Sequence, residues 1–578
     1  MVHVVETDVL VVGGGGAAAR AALEAVRAGV RVTMIMKGRF GVGGATAYKV
    51  AETAGLQAAT GDDDPGDLPE GHYQDIMAAA QGMSDPKLSR IVAEEAPKVI
   101  RDLESFGVKF VRDARGRYIR SRTCFSSRTL PPRCYNVKDH AHPILMGLKD
   151  QLIKTNAQVI ENTMLTRLIV KDGACVGATA LNSQGEFFGI RAGAVVLATG
   201  GAGSLFALNL NPPDITGDGY AAAYNAGAEL TNMEFMQAGM GIVFPIRTLL
   251  HSWFSAPRPR LTNSEGVEFL KDYIPKGVTA DACNDIRSTH YPFTSLYLSK
   301  YIDIAIKKEI LQGRGTPHHG VWADFSHLSE DRFVEMLVKS GRDKAEERWQ
   351  ITKEWYRSRG FDFLSKPFEI SLYGHAINGG VLINEEAESS IRSLFACGET
   401  AAGPHGADRL GGNMLVTCQV FGARAGIFAA LRSEANRADS TSDIFGEKDQ
   451  FQLPQRTGIL PLSQVRDALQ WAMWNHLLVV RTEEGINSCL KELERIEVEL
   501  LPQARIEGPK EAGKYLELMN LFQAAKIICY AARMRKESRG SHYRDDFPRR
   551  DDANWDKSII IRKTEETMVS SFRKLGQS

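Results

Sequence analysis

The segment HGADRLGGNML, residues 405–415, places an imidazole, a carboxylate, a guanidinium and an amide around a pair of glycines. The planar guanidinium of Arg409 suits a carboxylate because it offers two parallel hydrogen-bond donors. An apolar pattern typical of a buried helix follows over residues 416–431, and the first turn of a helix stabilises negative charge. The segment therefore predicts a binding site for anionic groups at the start of a buried helix.

A glycine-rich turn near the beginning of the chain indicates nucleotide binding. In VVGGGGAAAR the pattern G-x-G-x-x-G/A is formed by Gly13, Gly15 and Ala18, between the apolar run TDVLVV and an alanine-rich helical segment. These small residues allow a tight turn and close approach of a pyrophosphate, and the helix N-terminus offers free N–H groups to it. A second apolar run, VRVTMIM, completes a βαβ unit of the α/β class. Met36 and Lys37 stand where a nicotinamide-binding protein usually has an acidic ribose ligand, which argues against NAD.

The composition excludes several classes of function. The chain has 578 residues, with basic and acidic residues balanced at 70 each, so we expect several domains and no nucleic-acid binding. The eight cysteines are scattered without metal-ligand spacing, which predicts no metal site and no Cys-ligated iron–sulfur cluster within this chain. No apolar run reaches the length of about 18 residues that predicts a membrane span. Because the first strand begins too early for a signal peptide, we expect a soluble cytoplasmic protein.

The amino-acid composition changes along the chain and predicts a division into four parts. Residues 1–240 and 356–435 are rich in glycine loops and are expected to form one nucleotide-binding domain. Residues 241–355 contain more proline, aromatic and charged residues and the amphipathic pattern LYLSKYIDIAIKKEILQG, which together predict an inserted capping domain over the site. Residues 436–578 contain several helical patterns and a polar segment, HYRDDFPRRDDANWDK, and predict a helical domain with an irregular tail.

Several segments, in order along the chain, resemble one family of flavoproteins. They are DVLVVGGGGAAARAALEA, VVLATGGAG, TGDGYAAAYNAGAELTNMEFMQ, INGGVLIN, LFACGETAAGPHGADRLGGNML and RKESRGSHYRDDFPRRDDANW. The chain is similar to the flavoprotein subunits of the succinate dehydrogenase/fumarate reductase family, which also includes L-aspartate oxidase and the adenylylsulfate reductase flavoprotein. The resemblance implies an α/β fold: a Rossmann-like FAD-binding domain with an inserted α+β capping domain and a C-terminal helical domain.

The resemblance also implies roles for individual residues. Glu399 would bind the FAD ribose, Arg409 would hold a substrate carboxylate, His375 would bind substrate, and His405 is a weaker substrate-binding candidate. The segment 405–415 would thus hold the flavin ring on one side and an anionic substrate on the other, with the following helix stabilising the charge of the reduced flavin. The predicted FAD-binding residues are Gly13, Gly15, Gly16, Ala17, Ala18, Lys37, Gly44, Ala45, Thr46, Ala198, Thr199, Gly200, Asp218, Glu399, Arg409, Asn413, Met414 and Leu415.

The chain departs from the family pattern at three places. The triplet Gly44–Thr46 lacks the histidine that carries covalent flavin, so FAD is expected to be bound non-covalently. AGMG, residues 238–241, replaces a motif with one of two substrate-binding histidines, and Gly239 would leave space for a bulkier carboxylate. The position of the family's proton-delivering arginine falls on Ser299, and Lys300 beside it is our candidate for the acid. Further candidates for the missing acid are Tyr301, Arg258 and Arg260, of which Arg258 is also a candidate to bind substrate.

The sequence leaves several functions open. The leading interpretation is an FAD-dependent oxidoreductase that transfers hydride between flavin N5 and a carbon–carbon bond of an anionic carboxylate or acyl substrate. A capping-domain residue would handle the proton, and electrons would be exchanged with a separate iron–sulfur subunit. The alternatives are an oxygen-using enzyme similar to L-aspartate oxidase, and an electron-transfer flavoprotein subunit with a decayed substrate site. The adenylylsulfate reductase flavoprotein ranks below these because its flavin-side segments differ from HGADRLGGN.

Overall fold

A computed structural model describes residues 3–62, 64–127, 129–341, 345–436, 455–565 and 567–576. Its helices are α1 (Gly16–Arg27), α2 (Pro69–Ala80), α3 (Pro86–Ser105), α4 (His142–Leu152), α5 (Asp218–Asn225), α6 (Ala280–Arg287), α7 (Lys300–Glu309), α8 (Glu330–Lys339), α9 (Ala345–Arg357), α10 (Asn413–Asn436), α11 (Leu462–Leu477), α12 (Glu483–Arg495), α13 (Gly508–Met534) and α14 (Asp552–Trp555). Its strands are β1 (His3–Val12), β2 (Val32–Ile35), β3 (Thr53–Gln57), β4 (Arg120–Ser121), β5 (Cys134–Lys138), β6 (Gln158–Ile160), β7 (Thr163–Lys171), β8 (Ala174–Asn182), β9 (Phe187–Leu197), β10 (Leu230–Thr231), β11 (Met236–Phe244), β12 (Thr248–Leu249), β13 (Arg260–Thr262), β14 (Val321–Asp324), β15 (Phe368–Ile377), β16 (Gly380–Leu382), β17 (Leu394–Ala396), β18 (Ala401–Ala402), β19 (Arg456–Thr457), β20 (Leu460–Pro461), β21 (Val480–Arg481), β22 (Ala504–Ile506), β23 (Tyr543–Arg544), β24 (Ser558–Thr564) and β25 (Thr567–Arg573).

The βαβ unit predicted from the glycine turn is confirmed. Strand β1 lies parallel to β2 and β9 in a sheet of order β6-β2-β1-β9-β8-β7, and β17 pairs with the end of β9. The apolar run of β1, Val9 to Val12, is buried, as expected for a parallel strand covered on both faces. Because parallel strands end at the same edge of the sheet, the loops that follow β1, β2 and β9 meet there, which is the usual ligand position in such folds.

Helix α10 is the buried helix predicted after the segment 405–415. It packs on α1, α3 and β9, and small residues such as Gly422 and Gly426 bring its backbone close to that of α1. By length and by a mean hydropathy of 1.6 it could cross a membrane, but 61% of that stretch is buried inside the protein. Among the described residues, it is the one helix that meets this test of length and composition. Its burial identifies it as a core helix of the FAD-binding domain.

The inserted region forms a second sheet that covers one side of the first domain. Its order is β12-β11-β15-β14-β13, and the long strands β11 and β15 pair antiparallel. The sheet begins at residue 236 and ends at 377, so it extends on both sides of the expected limits 241–355. Helix α7 corresponds to the predicted amphipathic pattern. Clustered aromatic side chains, among them Phe254, Phe333 and Phe363, form the core between the sheet and helices α8 and α9.

The C-terminal region contains the predicted helices but also strands that we did not predict. Helices α11, α12 and α13 pack together, while β24 and β25 form a hairpin that joins β10 in a sheet of order β18-β16-β10-β24-β25. The predicted boundary near residue 436 adjoins residues 437–454, which lie outside the described residues. The predicted polar segment 542–557 is largely irregular, and most of the residues between α13 and this segment are buried with paired charges. Arg535 and Arg539 both contact Glu537 at 2.8 Å, and Arg535 contacts Glu234 at 2.7 Å.

Candidate active site

A large cavity lies at the sheet edge where β1, β2 and β9 end, between the FAD-binding and capping regions. The start of α10 closes one side, and residues 249, 251 and 291 of the capping region reach into it from the other. Of the residues predicted from the sequence, those that line the cavity are Gly13, Gly15, Gly16, Ala17, Lys37, Gly44, Ala45, Thr46, Ala198, Thr199, Gly200, Asp218, His375, Glu399, Arg409, Met414 and Leu415. Most of the predicted site therefore converges on one place.

The glycine turn has the geometry that a dinucleotide requires. Gly13 has φ +132°, and a Cβ there would lie 2.2 Å from the carbonyl oxygen of Ala198, so only glycine fits between the two loops. Gly16 opens α1, and its N–H donates to Oγ1 of Thr46 at 3.2 Å. Among the described residues, a Cβ built on Gly15 would meet only Oγ1 of Thr46, at 3.5 Å, and such an open turn at a helix N-terminus suits a pyrophosphate.

Lys37 occupies the end of β2 and is held by two carboxylates. Its Nζ lies 2.8 Å from Oδ2 of Asp218 and 2.8 Å from Oε1 of Glu517, and it donates to Oγ1 of Thr216 at 2.5 Å. Burial alone would lower the pKa of Lys37, but the two carboxylates outweigh it and raise that pKa. The ammonium thus stays charged and fixes Asp218, so both residues remain at the cavity wall as predicted.

Glu399 lies buried at the cavity with one oxygen bonded to the backbone. Its Oε1 accepts the N–H of Ile377 at 3.0 Å, and burial raises the pKa of its carboxyl to about 7. A Cβ at Gly201 would lie 2.2 Å from this oxygen, so the glycine is what admits the carboxylate. A buried carboxyl of this kind fits a role as acceptor for the ribose hydroxyls of FAD.

The segment that would carry a covalent flavin histidine contains no reactive side chain. Gly44 has φ +82°, nothing lies within 4 Å of a Cβ built on it, and its N–H donates to Oδ2 of Asp214 at 2.8 Å. Thr46, the last residue of the triplet, faces the start of α1 through its bond to Gly16. The residues of the cavity fit FAD, and this loop fits a flavin that is held without a covalent bond.

Arg409 is a buried cation at the cavity. Its Nε donates to Oε1 of Gln237 at 3.1 Å, and its Nη2 lies 3.5 Å from Nε2 of His375. Because a guanidinium only donates, Nε2 of His375 is the acceptor and that ring is neutral. Burial, followed by the charge of Arg409, lowers the pKa of His375 to about 3. Within the part of the chain that the structure describes, Arg409 forms no ion pair with a carboxylate.

Three predicted residues lie directly behind the lining. Ala18 is fully buried in α1, where it permits close packing, and Asn413 begins α10 and bonds through Oδ1 to Nε2 of His72 at 2.8 Å. His405 is buried, and among the described residues neither of its ring nitrogens has a hydrogen-bond partner. Burial, followed by the charge of Arg409, lowers the pKa of His405 to about 3. These three residues support the lining, and their contact with cofactor or substrate stays a prediction.

The structure does not bring the capping-region candidates for the acid to the cavity. Arg258 lies at the surface, 2.8 Å from Asp281 and 3.0 Å from Asp285, because those acids of α6 satisfy its charge locally. Lys300 begins α7 and its Nζ donates to the carbonyl of Ser295 at 3.1 Å. The remaining acid candidates, which also lie outside the lining, are Tyr301 and Arg260.

The expectation that Gly239 leaves open space for a bulkier substrate is wrong. A Cβ on Gly239 would lie 2.3 Å from Cζ of Tyr291, whose ring occupies that volume. Likewise, a Cβ on Gly241 would lie 2.6 Å from the ring of Tyr373. These glycines admit aromatic rings of the protein itself, so the volume that a side chain at position 239 or 241 would take is already filled.

Sequence reasoning missed a histidine–carboxylate pair at the cavity. Nε2 of His251 lies 3.0 Å from the carboxylate of Glu52, which also accepts from Oγ1 of Thr352 at 3.1 Å. Burial alone would raise the pKa of Glu52, but the charge and hydrogen bond of His251 and the bond from Thr352 together lower it to about 2. His140, also at the cavity, has its pKa lowered to about 4 by burial. The signal available in the sequence was a histidine in LLHSWF with no recognisable motif around it.

Comparisons with known proteins identify the family of this chain. The FAD binding domain family matches residues 8–415, and the fumarate reductase flavoprotein C-terminal family matches residues 466–575. A fumarate reductase (CoM/CoB) subunit of Methanothermobacter marburgensis is 33% identical over 97% of this chain and 98% of its own. L-aspartate oxidase of Streptomyces coelicolor is 28% identical over 96% of this chain and 92% of its own. The solved structure of Mycobacterium smegmatis Sdh1 in complex with UQ1 is 27% identical, with a TM-score of 0.81, covering 99% of this chain and 95% of that chain.

The matches extend over both the nucleotide-binding part and the C-terminal part of the chain, in the same order as the segments quoted above. FAD is therefore the cofactor, as the family resemblance predicted, and the α/β fold with capping and helical regions is confirmed. The chain belongs to the succinate dehydrogenase/fumarate reductase family of flavoproteins and is an FAD-dependent oxidoreductase.

Proposed function

We propose that this protein interconverts a carbon–carbon double and single bond next to a carboxylate, in the manner of a fumarate reductase. The observation that carries the proposal is Arg409, a buried guanidinium at the cavity that forms no carboxylate pair among the described residues. Burial disfavours the charged form of this guanidinium, with the charge of Glu399 opposing that effect, and a carboxylate ligand in direct contact would offset the remaining cost. His375 beside it accepts from the guanidinium and keeps its donor fork in place.

The protein's own residues supply orientation and a proton. When bound, FAD supplies two-electron chemistry by giving or taking a hydride at N5. Arg409 fixes the substrate carboxylate, and this orientation supplies much of the reduction of the barrier. His251, whose Nε2 is bonded to Glu52, can give a proton from Nδ1 to the second carbon in reduction and take it back in oxidation. Glu52 positions this ring through the bond to Nε2.

We further propose that electrons are exchanged with a separate iron–sulfur subunit. The similar protein of Methanothermobacter marburgensis is one subunit of a fumarate reductase and therefore has at least one partner. In the described part of this chain the cysteines are all free, and no group of three or more potential ligands could hold a metal. We therefore place the electron carrier in another chain as part of the proposal, together with a cytoplasmic location.

The experiment is a substrate screen with the anaerobically reduced holoenzyme. Reoxidation of the flavin is followed after addition of fumarate, crotonate, a bulkier aryl enoate or oxygen alone. Reoxidation by fumarate and its loss in Arg409→Lys is the expected result. Fast reoxidation by oxygen together with oxidation of L-aspartate would favour the L-aspartate oxidase alternative. No reaction with any enoate would contradict the proposal and favour an electron-transfer role.

A further inference from the structure

Tyr291 is held at the cavity by a set of contacts that leave its hydroxyl free. Arg287 donates to the carbonyl oxygens of His290 and Tyr291 and is itself paired with Asp303 at 3.1 Å. The N–H of Tyr291 donates to Sγ of Cys124 at 2.8 Å. Apart from the pair of Arg287 with Asp303, these contacts are made to backbone atoms of residues 290 and 291, so they hold this part of the chain without using the phenol oxygen.

The ring lies at the position where the family resemblance places a missing histidine. Gly239 corresponds to that histidine, and a Cβ on Gly239 would lie 2.3 Å from Cζ and 2.6 Å from Oη of Tyr291. The ring also meets His375 edge to face, with 5.5 Å between centroids. The phenol of Tyr291 therefore occupies the volume where the family has the histidine side chain. It lies next to His375 of the proposed carboxylate site.

The hydroxyl of Tyr291 is buried and has no hydrogen-bond partner in the described ranges. An unsatisfied buried hydroxyl costs free energy, so it is expected to be satisfied by whatever enters the cavity it lines. Burial raises the pKa of this phenol, so the group remains neutral and can donate a hydrogen bond at any physiological pH. A neutral donor at this place suits an acceptor oxygen of the ligand.

We propose that Oη of Tyr291 binds the second carboxylate of a dicarboxylate substrate while Arg409 holds the first, which makes Tyr291 a determinant of specificity. This inference rests on the proposed function, because it assumes that Arg409 holds a carboxylate. With Tyr291 in this role, both carboxylates of the substrate are bound, although glycine replaces the family's histidine at position 239. A substrate with one carboxylate leaves the phenol unsatisfied, so the site discriminates against it.

The test compares two ligands of similar size that differ in one carboxylate. Binding of succinate and of butyrate to the oxidised holoenzyme is measured by perturbation of the flavin absorbance, in the wild type, Tyr291→Phe and Tyr373→Phe. We expect Tyr291→Phe to weaken succinate binding by about 10- to 100-fold, as for loss of a hydrogen bond to a charged group, and to leave butyrate unchanged. Tyr373→Phe is the control, because Tyr373 fills the space beside Gly241 but donates to the backbone carbonyl of Ile242 at 2.9 Å.

The outcomes separate this inference from the proposed function. Equal affinity of wild type and Tyr291→Phe for succinate, with binding still lost in Arg409→Lys, would overturn the role of Tyr291 and leave the proposed function intact. A wild type that binds neither ligand would overturn both. If Tyr291→Phe does not retain FAD, Gly239→Ala provides the second variant. Its added Cβ displaces the ring, so it should weaken succinate binding while butyrate binding is unchanged, and unchanged succinate binding would again overturn the inference.

Discussion

Replacing Glu52 by glutamine tests the histidine–carboxylate pair that joins the FAD-binding region to the capping region. The pKa of Glu52 is lowered from 4.5 to about 2, mainly through His251 and against the opposing effect of burial. The difference of about 2.5 corresponds to about 3 kcal/mol in favour of the charged folded form, at about 1.4 kcal/mol per tenfold change. Glu52→Gln should therefore lower the free energy of unfolding at pH 7 by up to about 3 kcal/mol.

The dependence on pH follows from the sign of the shift. A carboxyl with a lowered pKa in the folded state contributes its full stabilisation above the unfolded value of about 4.5, and loses it as pH falls toward about 2. Urea unfolding of the holoenzyme, measured from pH 3 to pH 7, should show the full difference between wild type and Glu52→Gln at about pH 5 to pH 6. That difference should shrink at lower pH.

Thr352→Val is the matched control, because it removes one hydrogen bond to Glu52 and keeps the charge pair with His251. It should cost about 1 kcal/mol. A Glu52→Gln variant as stable as the wild type at pH 7, or a difference that does not change between pH 5 and pH 3, would refute the reasoning. Glu52→Gln should lower the rate of fumarate reduction more than it lowers the affinity for succinate. The reason is that Glu52 positions His251 for proton transfer, whereas Arg409 binds the carboxylate.

Two further predictions concern the cofactor. Gly13→Ala should abolish stable FAD binding, since the new Cβ would lie 2.2 Å from a backbone oxygen at a φ of +132°, and FAD retained after gel filtration measures it. Glu399→Gln should weaken FAD binding about 10-fold yet stabilise the apoprotein above pH 7, because burial raises the pKa of Glu399 to about 7 and the folded state disfavours its charged form above the unfolded value of about 4.5. Fluorescence titration with FAD and thermal unfolding of the apoprotein at pH 6 and pH 8 check both effects, and unchanged values would contradict them.

The nucleotide-binding part was predictable because its signals are local. Gly13 and Gly15 follow one apolar strand and precede one helix, so spacing alone located the turn. The position of Arg409 at the cavity was predictable for the same reason, since the segment around it is compact and precedes α10 directly. The predicted cofactor-binding residues lie in several loops. These loops could be recognised separately, from their glycines and from their similarity to segments of the family.

The residues added by the capping region were not predictable from spacing. Glu52 and His251 are 199 positions apart, and neither stands in a recognisable motif. The position of Tyr291 over Gly239 depends on antiparallel pairing near Pro292 that only the folded sheet defines. Counting along the helix pattern selected Lys300, but α7 begins at this residue and its Nζ is used by the carbonyl of Ser295. Tertiary contacts decided these positions.

The β24–β25 hairpin was missed for a similar reason. The run Ser558–Thr564 contains three consecutive isoleucines that are all buried, and a short apolar run of this kind does not distinguish a strand from part of a helix. Its partner β10 lies more than 300 residues earlier in the chain and has only two residues, Leu230 and Thr231. The pairing therefore depends on the assembled fold and leaves little trace in either segment.

The most direct test of the central claim is the affinity of the oxidised holoenzyme for succinate in the wild type and in Arg409→Lys. The lysine keeps the charge but loses the planar fork of donors and the bonds to Gln237 and His375. We expect the dissociation constant to rise by at least about 10-fold while FAD remains bound. Equal dissociation constants in the two proteins would contradict the claim that Arg409 binds a substrate carboxylate.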